Sequence, residues 1–234
     1  MKNRHISGVL SAIIMVCIFS AVTAADKSHT VFYDMPVSGK VIILDPGHGG
    51  WDPGKAGSNG EDEKDINLKI AEDIKDYLEQ GGAVVYMTRT EDEALGKTKN
   101  EDMKNRISSA RKGEADIFIS IHQNSFPAAN VKGAQVFYHK TSEDGKRLAQ
   151  NIQDRLVSFA DNDNKRIAKE NDSYYILKKT DIAAVIIECG FLSNAEEEKK
   201  LNSEDYRSKI AWAVYMGIWD YFEGKTLHNK KRPI

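Results

Sequence analysis

Cysteine is almost absent from this sequence. The 234 residues include two cysteines, Cys17 and Cys189, and Cys17 lies in an apolar N-terminal stretch. If that stretch is removed, Cys189 has no intramolecular partner and no disulfide can form within the chain. A small secreted fold held together by disulfides is therefore excluded, and the domain must be stable through its core alone.

An excess of charge of one sign is also missing. The formal net charge is −2, and the one basic cluster is the tail NKKRPI. Nucleic-acid-binding domains usually carry a basic surface or stripe, so we expect no nucleic-acid partner. With 41% hydrophobic and 29% charged residues, the composition is typical of one globular domain and fits neither a disordered nor a fibrous chain.

Long apolar runs are limited to the N-terminus. The uncharged stretch ISGVLSAIIMVCIFSAVTAA follows Lys2 and Arg4 and ends in small residues, with Val22 and Ala24 at the −3 and −1 positions of a signal-peptidase site. We predict a signal peptide over residues 1–24 and an exported protein. The alternative is an uncleaved anchor, because about 20 apolar residues cross a bilayer. A membrane contact is expected only through this segment, if it is not cleaved.

From Gly39 onward, short apolar runs alternate with amphipathic stretches. The runs KVIIL, AVVYMT, DIFISI, AQVFYH and AAVIIE predict strands, and helical spacing extends over about 64–80, 102–112, 143–160 and 203–222. This alternation predicts a single α/β domain over 39–224, with a mostly parallel sheet flanked by helices on both faces. Residues 25–38 are interpreted as a lead-in and 225–234 as a basic tail. Gly81-Gly82 and Gly113 are expected to end the first two helices.

Three polar residues stand where predicted strands end. His48 follows the first strand, His122 ends DIFISIH and Glu188 ends AAVIIE. Ligands of open parallel sheets bind at the carboxyl ends of the strands, and the acidic cluster 61–63 can fold over the same edge. Each residue alone has an ordinary structural explanation. Together, two histidines and a carboxylate predict a metal site of the hydrolytic zinc type.

Four ordered motifs resemble a known family. ILDPGHGGWDPGKAG…EDEKDINL, ADIFISIHQNS, KGAQVFYH and VIIECGFLSN are similar to the successive motifs of the zinc-dependent N-acetylmuramoyl-L-alanine amidases, over about residues 40–222. The resemblance implies one zinc ion bound by His48, Glu63 and His122, with Glu188 as the catalytic acid and base. Glu63 is preferred to Glu61 because it stands in EKD, as the family's ligand does. Peptidoglycan is the implied substrate.

Other residues are weaker candidates. Asn124 could contact substrate, but we favour the start of the turn toward Pro127. Arg106 could bind substrate, but we favour a place on the charged face of an amphipathic helix. His139 is interpreted as a solvated strand end. Cys189 follows Glu188 where many relatives carry another small residue, and we expect a buried thiol without a catalytic role.

The predicted organisation, an export signal and one catalytic domain, resembles that of the germination-specific amidases. These trim spore-cortex peptidoglycan before muramic-δ-lactam is formed. The resemblance implies an extracytoplasmic location, in the cell wall or spore envelope, and allows for an accessory protein that promotes activity. The alternatives are a vegetative autolysin of the same chemistry, a zinc peptidase or deacetylase acting on the same polymer, and a non-catalytic peptidoglycan-binding protein.

The connector 161–173 bears on regulation. Division amidases of this family carry an extra helix that blocks the site, and such a helix needs an apolar face to stay docked. In DNDNKRIAKENDS the only apolar side chains are Ile167 and Ala168. We therefore predict an exposed connector and an open active-site groove.

Overall fold

The computed structural model describes residues 35–58, 61–112 and 114–225. The predicted signal peptide, the role of Gly113 and all of the basic tail except Lys225 lie outside the described residues. Within them, no helix combines the length and the apolar character that crossing a membrane requires.

The strands follow the predicted apolar runs closely. They are β1 Val41–Pro46, β2 Val84–Met87, β3 Ile117–Asn124, β4 Gln135–Tyr138, β5 Lys169–Glu170 and β6 Ala183–Phe191. The helices are α1 Glu63–Gln80, α2 Lys99–Lys112, α3 Glu143–Arg155, α4 Tyr175–Lys179, α5 Ala195–Leu201 and α6 Glu204–Phe222, with a π-helical turn over Leu156–Ala160. The π-helical turn continues α3 to the predicted limit, so the four long predicted helices are all present.

The described strands form one six-stranded sheet in the order β2-β1-β3-β6-β4-β5. All neighbours are parallel except β4, which runs antiparallel to β6. The register between β3 and β6 places His122 opposite Glu188. The predicted α/β class with a mostly parallel sheet is confirmed, and two of the predicted site residues are direct cross-strand neighbours.

Helices cover both faces of the sheet, as predicted. The strands are apolar on both sides, which is typical of parallel sheets buried between helix layers. On one face Leu44, Ile119 and Val185 pack with residues of α1, α3 and α6. On the other face Ile43, Phe118, Phe137, Ala184 and Ile186 pack with Ile107 of α2 and with Ile176 and Leu177 of α4.

Three short elements were not predicted. Strand β5 has two residues, both charged and exposed, so it has no alternation of apolar and polar positions. Helix α4 has five residues and α5 seven, which is too short for helical periodicity to emerge. Helix α5 instead begins at Asn194, whose side chain accepts hydrogen bonds from the N–H groups of Glu196 and Glu197.

The packed body begins before Gly39. Val37, within the predicted lead-in, is fully buried in the core, and a Cβ on Gly81 would lie 2.7 Å from its Cγ2. Helix α1 ends at Gly81, and Gly82 follows with φ of 83°, as predicted. The turn over Met35–Ser38 is therefore part of the domain, because it covers the end of α1.

Candidate metal and catalytic site

The loop after β1 turns sharply enough to aim His48 back over the sheet edge. His48 has φ of 62°, and Gly49 and Gly50 also have positive φ. A non-glycine residue in the left-handed region is uncommon and costs energy. Gly47 lets the backbone of the loop lie close to the His122 ring, since a Cβ there would be 2.2 Å from the ring. The glycines thus bring the two histidines together, with ring centroids 5.0 Å apart.

Two buried arginines hold this loop in place. Arg106 donates from Nη1 to the carbonyl of Pro46 at 2.8 Å and from Nη2 to that of His48 at 2.7 Å. Arg89 donates from Nε to Pro46 O at 3.0 Å and from Nη2 to Gly47 O at 3.0 Å. Three successive carbonyls of the loop therefore accept hydrogen bonds from guanidinium groups, which stabilises the strained turn at His48.

Arg106 is itself fixed by carboxylates. Its Nη1 lies 2.8 Å from Asp45 Oδ1 and its Nε 2.6 Å from Asp102 Oδ2. Burial alone would lower the pKa of Arg106, but the charge of Asp45 and the contacts with Asp102 outweigh it and raise the pKa. The guanidinium stays charged, and its donors stay directed at the loop.

Glu63 brings the two histidines to one point. Its Oε1 lies 3.2 Å from His48 Nε2 and 3.1 Å from His122 Nδ1. It also accepts from Gln123 N at 3.0 Å, while Oε2 accepts from Lys55 N at 2.8 Å. Glu63 is the first residue of α1, so the helix start folds over the sheet edge as expected. It is Glu63, and not Glu61, that enters the cluster.

This cluster fits a zinc ion. One ligand atom from each of His48, Glu63 and His122 lies within 4.8 Å of the others. A tetrahedral zinc with bonds of about 2.0–2.1 Å would separate its ligand atoms by roughly 3.3 Å, close to the observed 3.1 and 3.2 Å. Gly54 leaves room beside the cluster, because a Cβ there would lie 2.6 Å from Glu63 Oε2 and 2.7 Å from His48 Cδ2.

The charges around the cluster are complementary. Burial opposes protonation of His48, but Glu63, followed by Asp52, outweighs it and raises its pKa. Burial would raise the pKa of Glu63, yet hydrogen bonds from His122 and His48 hold it well below its usual range. Asp52 Oδ2 lies 2.9 Å from His48 Nδ1. A carboxylate behind a ligand histidine orients the ring and increases its basicity.

Glu188 faces the same space from the end of β6. It is 8% exposed, and its Oε2 has no hydrogen-bond partner among the described residues. Tyr174 donates to the other oxygen, Oε1, at 3.4 Å. Burial raises the pKa of Glu188, and the opposing attraction of His122 does not cancel it. Burial and the charge of Glu188 raise the pKa of Tyr174 to about 12. A buried carboxyl with one free oxygen is suited to proton transfer near neutral pH.

A cavity of about 270 Å³ opens beside these groups. His48, His122 and Glu188 line it, together with residues of α2 and of the segment 174–176. The cavity places a substrate-sized space directly against the predicted ligands and the predicted catalytic carboxylate.

The weaker candidates have other contacts, and His139 lies toward the opposite edge of the sheet, because β4 runs antiparallel to β6. Asn124 Oδ1 accepts from Ser125 N at 2.8 Å, the contact expected of a turn. Arg106 lines the cavity but directs four hydrogen bonds at the protein, as described above. His139 Nδ1 lies 2.9 Å from Thr141 Oγ1. Cys189 is fully buried, and burial raises the pKa of its thiol, in agreement with a non-catalytic role.

The connector 161–173 is not helical. Ile167 is 68% exposed, while its carbonyl accepts from Gln135 Nε2 at 3.0 Å. Asn164 is buried and donates to Ala134 O at 2.8 Å. The segment is thus tied to β4 through its backbone and polar groups, with its largest apolar side chain in solvent.

Three residues of the site were not singled out from the sequence: Asp52, Arg89 and Tyr174. Asp52 could have been found, because it lies four residues after His48 in the same glycine-rich loop. Arg89 and Tyr174 carry no comparable local signal, since their contacts join positions 42 and 14 residues apart.

The comparisons with known proteins agree with this geometry. The sequence profile of the N-acetylmuramoyl-L-alanine amidases matches residues 42–220, and the chain belongs to this family. It is 35% identical over 232 residues to the germination-specific N-acetylmuramoyl-L-alanine amidase of Bacillus subtilis (strain 168), covering 96% of this chain and 97% of that protein. It is 31% identical to the amidase LytC of the same organism, covering 80% of this chain and 36% of LytC.

Solved structures show the same fold. The CwlD amidase from Clostridioides difficile, solved in complex with the GerS lipoprotein, is 42% identical with a TM-score of 0.76, over 80% of this chain and 100% of that one. The catalytic domain of CwlV from Bacillus (Paenibacillus) polymyxa is 28% identical with a TM-score of 0.67, over 80% of this chain and 99% of that one. The resemblance drawn from the motifs is confirmed, and the chain is an enzyme of the amidase class.

Proposed function

We propose that this chain is an exported zinc amidase that cleaves the bond between N-acetylmuramic acid and L-alanine in spore-cortex peptidoglycan, for muramic-δ-lactam formation and germination. The observation that carries the proposal is the joint position of His48, Glu63 and His122 opposite the free Oε2 of Glu188. The near full-length similarity to a germination-specific amidase supports the biological role.

His48, Glu63 and His122 would hold the ion. When bound, zinc supplies a Lewis acid that polarises the lactyl amide carbonyl and makes water more acidic. The negative charge of Asp52 beside Nδ1 of His48 favours a proton on that nitrogen, which leaves Nε2 available to the cluster. Glu63 is held at both oxygens by backbone N–H groups.

Glu188 performs the proton transfers. Its Oε2 accepts a proton from the attacking water and returns it to the nitrogen of L-alanine as the C–N bond breaks. Tyr174 donates to Oε1, which leaves Oε2 as the reactive oxygen. General acid–base groups of this kind contribute about 10²–10⁴-fold to rate. The intact set of ligands and acid also argues against a non-catalytic peptidoglycan-binding protein.

The similar proteins support a location and a partner for this enzyme. Peptidoglycan lies outside the cytoplasm, so the enzyme acts in the cell wall or spore envelope. The CwlD structure contains the GerS lipoprotein, and we extend this to an accessory protein that promotes activity here. The vegetative autolysin is the alternative role. The chain is 35% identical to the germination-specific relative over 96% of its own length and 31% identical to LytC over 80% of it, and this difference in similarity favours the sporulation role.

Digestion of defined muropeptides by purified protein tests the activity. We expect about one zinc per chain and release of peptides with a free L-alanine amino group, with activity abolished by a chelator and restored by zinc. Release of acetate would instead indicate a deacetylase. Binding of peptidoglycan without any product, in protein containing zinc, would indicate a non-catalytic protein.

A genetic experiment tests the biological role. Expression in a Bacillus subtilis strain without its germination-specific amidase should restore muramic-δ-lactam to the cortex and germination to the spores, and the Glu188→Gln variant should not. Failure of the active enzyme to restore the lactam would favour the vegetative alternative.

A further inference from the structure

The cavity beside the cluster has a second wall that the hydrolysis itself does not use. The start of α2 supplies Lys99 and Met103 to it, the segment 174–176 supplies Tyr175 and Ile176, and β6 supplies Ile186. Ile176 and Ile186 are buried. This wall is mostly apolar, and it belongs to the same cavity as His48, His122 and Glu188.

Lys99 is the available cation of this wall. The other cation of the cavity, Arg106, is held by Asp45 and Asp102 and is 2% exposed. Lys99 is exposed at the first residue of α2, and no described carboxylate lies within ion-pair distance of its Nζ. Asp52, the nearby carboxylate of the same cavity, has one oxygen beside His48 Nδ1 and accepts with the other from Gly54 N. The positive charge of Lys99 thus has no ion-pair partner among the described residues that line the cavity.

Only the peptide part of the substrate offers a negatively charged group that could pair with Lys99. The N-acetylated sugars of the glycan are uncharged, whereas the stem peptide carries carboxylates. The peptide begins at L-alanine, next to the bond that is hydrolysed, and the L-alanine methyl group suits the apolar part of the wall. A carboxylate on the following residue would then come near Lys99.

We propose that this wall is the stem-peptide subsite, in which Lys99 binds the carboxylate of the residue that follows L-alanine. The proposal rests on the amidase function proposed above and adds a specificity determinant to it. A stem peptide with a free carboxylate at that residue is bound more tightly than one in which it is a carboxamide. Lys99 thereby makes the enzyme sensitive to amidation of the stem peptide.

Two muramoyl tripeptides test the subsite. They are identical except that the residue after L-alanine carries a free carboxylate in one and a carboxamide in the other. The variants are Lys99→Met, Lys99→Arg and Lys99→Glu, with Lys104→Met as the matched control, because Lys104 is exposed on the same helix and is absent from the cavity lining. Zinc content and melting temperature are measured for every variant.

We expect Lys99→Met to raise KM for the carboxylate substrate about three- to tenfold, the range of a partly solvated charge-assisted contact, without a matching rise for the carboxamide. Lys99→Arg should keep the preference and Lys99→Glu should reverse it, while Lys104→Met resembles the parent enzyme. Zinc content and kcat should stay near the parent values, which separates failure of the subsite from failure of the amidase function.

An equal change of KM for both substrates, or no change for either, would overturn the assignment of Lys99. Binding of the two product peptides, measured by calorimetry, gives a readout independent of turnover. The peptide with the carboxylate should bind the parent enzyme more tightly, and this difference should vanish in Lys99→Met.

Discussion

His48 occupies a backbone conformation that side chains with a Cβ rarely adopt, at a cost of order 1–3 kcal/mol. Such a conformation persists only where the surrounding structure enforces it. Here Arg106 and Arg89 bind three successive carbonyls around the turn. The two arginines therefore have a positioning role. Their substitution should lower activity by displacing the metal ligand His48.

Substitution of Arg106 by lysine tests this role. Lysine keeps the positive charge but cannot reproduce the planar fork of donors, so the carbonyls of Pro46 and His48 lose partners. We expect Arg106→Lys to weaken zinc binding about tenfold or more, measured by competition with a chelator. The matched control is Arg155→Lys, because Arg155 also forms a forked contact with a buried carboxylate, Asp220, away from the site.

The control should lower the melting temperature without changing zinc affinity. If both variants change stability equally and neither changes zinc affinity, Arg106 has only a structural role.

Glu188→Gln separates proton transfer from metal binding. The amide is nearly isosteric and can still accept the hydrogen bond of Tyr174, but it cannot take up a proton near neutral pH. We expect unchanged zinc content and a decrease in kcat of about 10²–10⁴-fold, measured on a defined muropeptide. Near-normal turnover would show that another group transfers the proton.

At the scale of elements, the approach of the β1 loop to the end of β3 leaves no room for a side chain at Gly47. An added Cβ would lie 2.2 Å from His122 Cε1, so Gly47→Ala must displace the ring. We expect loss of zinc binding with far-UV circular dichroism unchanged. The control is Gly39→Ala, which has φ of 70° but no atom within 4 Å of the added Cβ.

That control should lose about 1 kcal/mol of stability through backbone strain and retain zinc. A Gly47→Ala protein with full zinc content would mean that the loop adjusts more readily than the structure indicates.

The connector 161–173 allows a second prediction at this scale. An inhibitory segment would have to be held by apolar contacts, and Ile167, its largest apolar side chain, is 68% exposed. We expect Ile167→Asp to leave the rate of muropeptide hydrolysis within about twofold, since exposed substitutions have small effects. Asn164→Ala is the contrasting variant, because it removes a buried hydrogen bond to the carbonyl of Ala134, just before β4, and should lower the melting temperature. Strong activation by Ile167→Asp would reveal an inhibitory role.

Elements and site residues with local signals were predictable. Strands such as β3 and β6 are long apolar runs, and the rule that ligands bind at the carboxyl ends of strands identified His48, His122 and Glu188 together. The choice of Glu63 over Glu61 came from the family motif, because spacing does not distinguish neighbouring acids. Tyr174 could not be predicted, since its contact with Glu188 depends on the position of the short helix α4, which has no detectable periodicity.

At the scale of the whole molecule, the site is supported by contacts within the protein. The core packs on both faces of the sheet, and the ligands are held by Arg106, Arg89, Asp52 and backbone N–H groups. This differs from small zinc domains, in which the metal provides most of the folding energy. Zinc is therefore expected to bind a folded protein.

Removal of zinc tests this expectation. A protein that binds zinc only when folded is stabilised by about 4 kcal/mol at a zinc concentration 1,000 times Kd, which corresponds to about 10 °C in a domain of this size. We expect chelator-treated protein to keep its far-UV circular dichroism and to melt cooperatively at a lower temperature, with the difference recovered on adding zinc. In His48→Ala the melting temperature should no longer respond to zinc, because one of three ligands is gone. An unfolded chelator-treated protein would show instead that the ion is an integral part of the core, and that the arginines cannot maintain the loop alone.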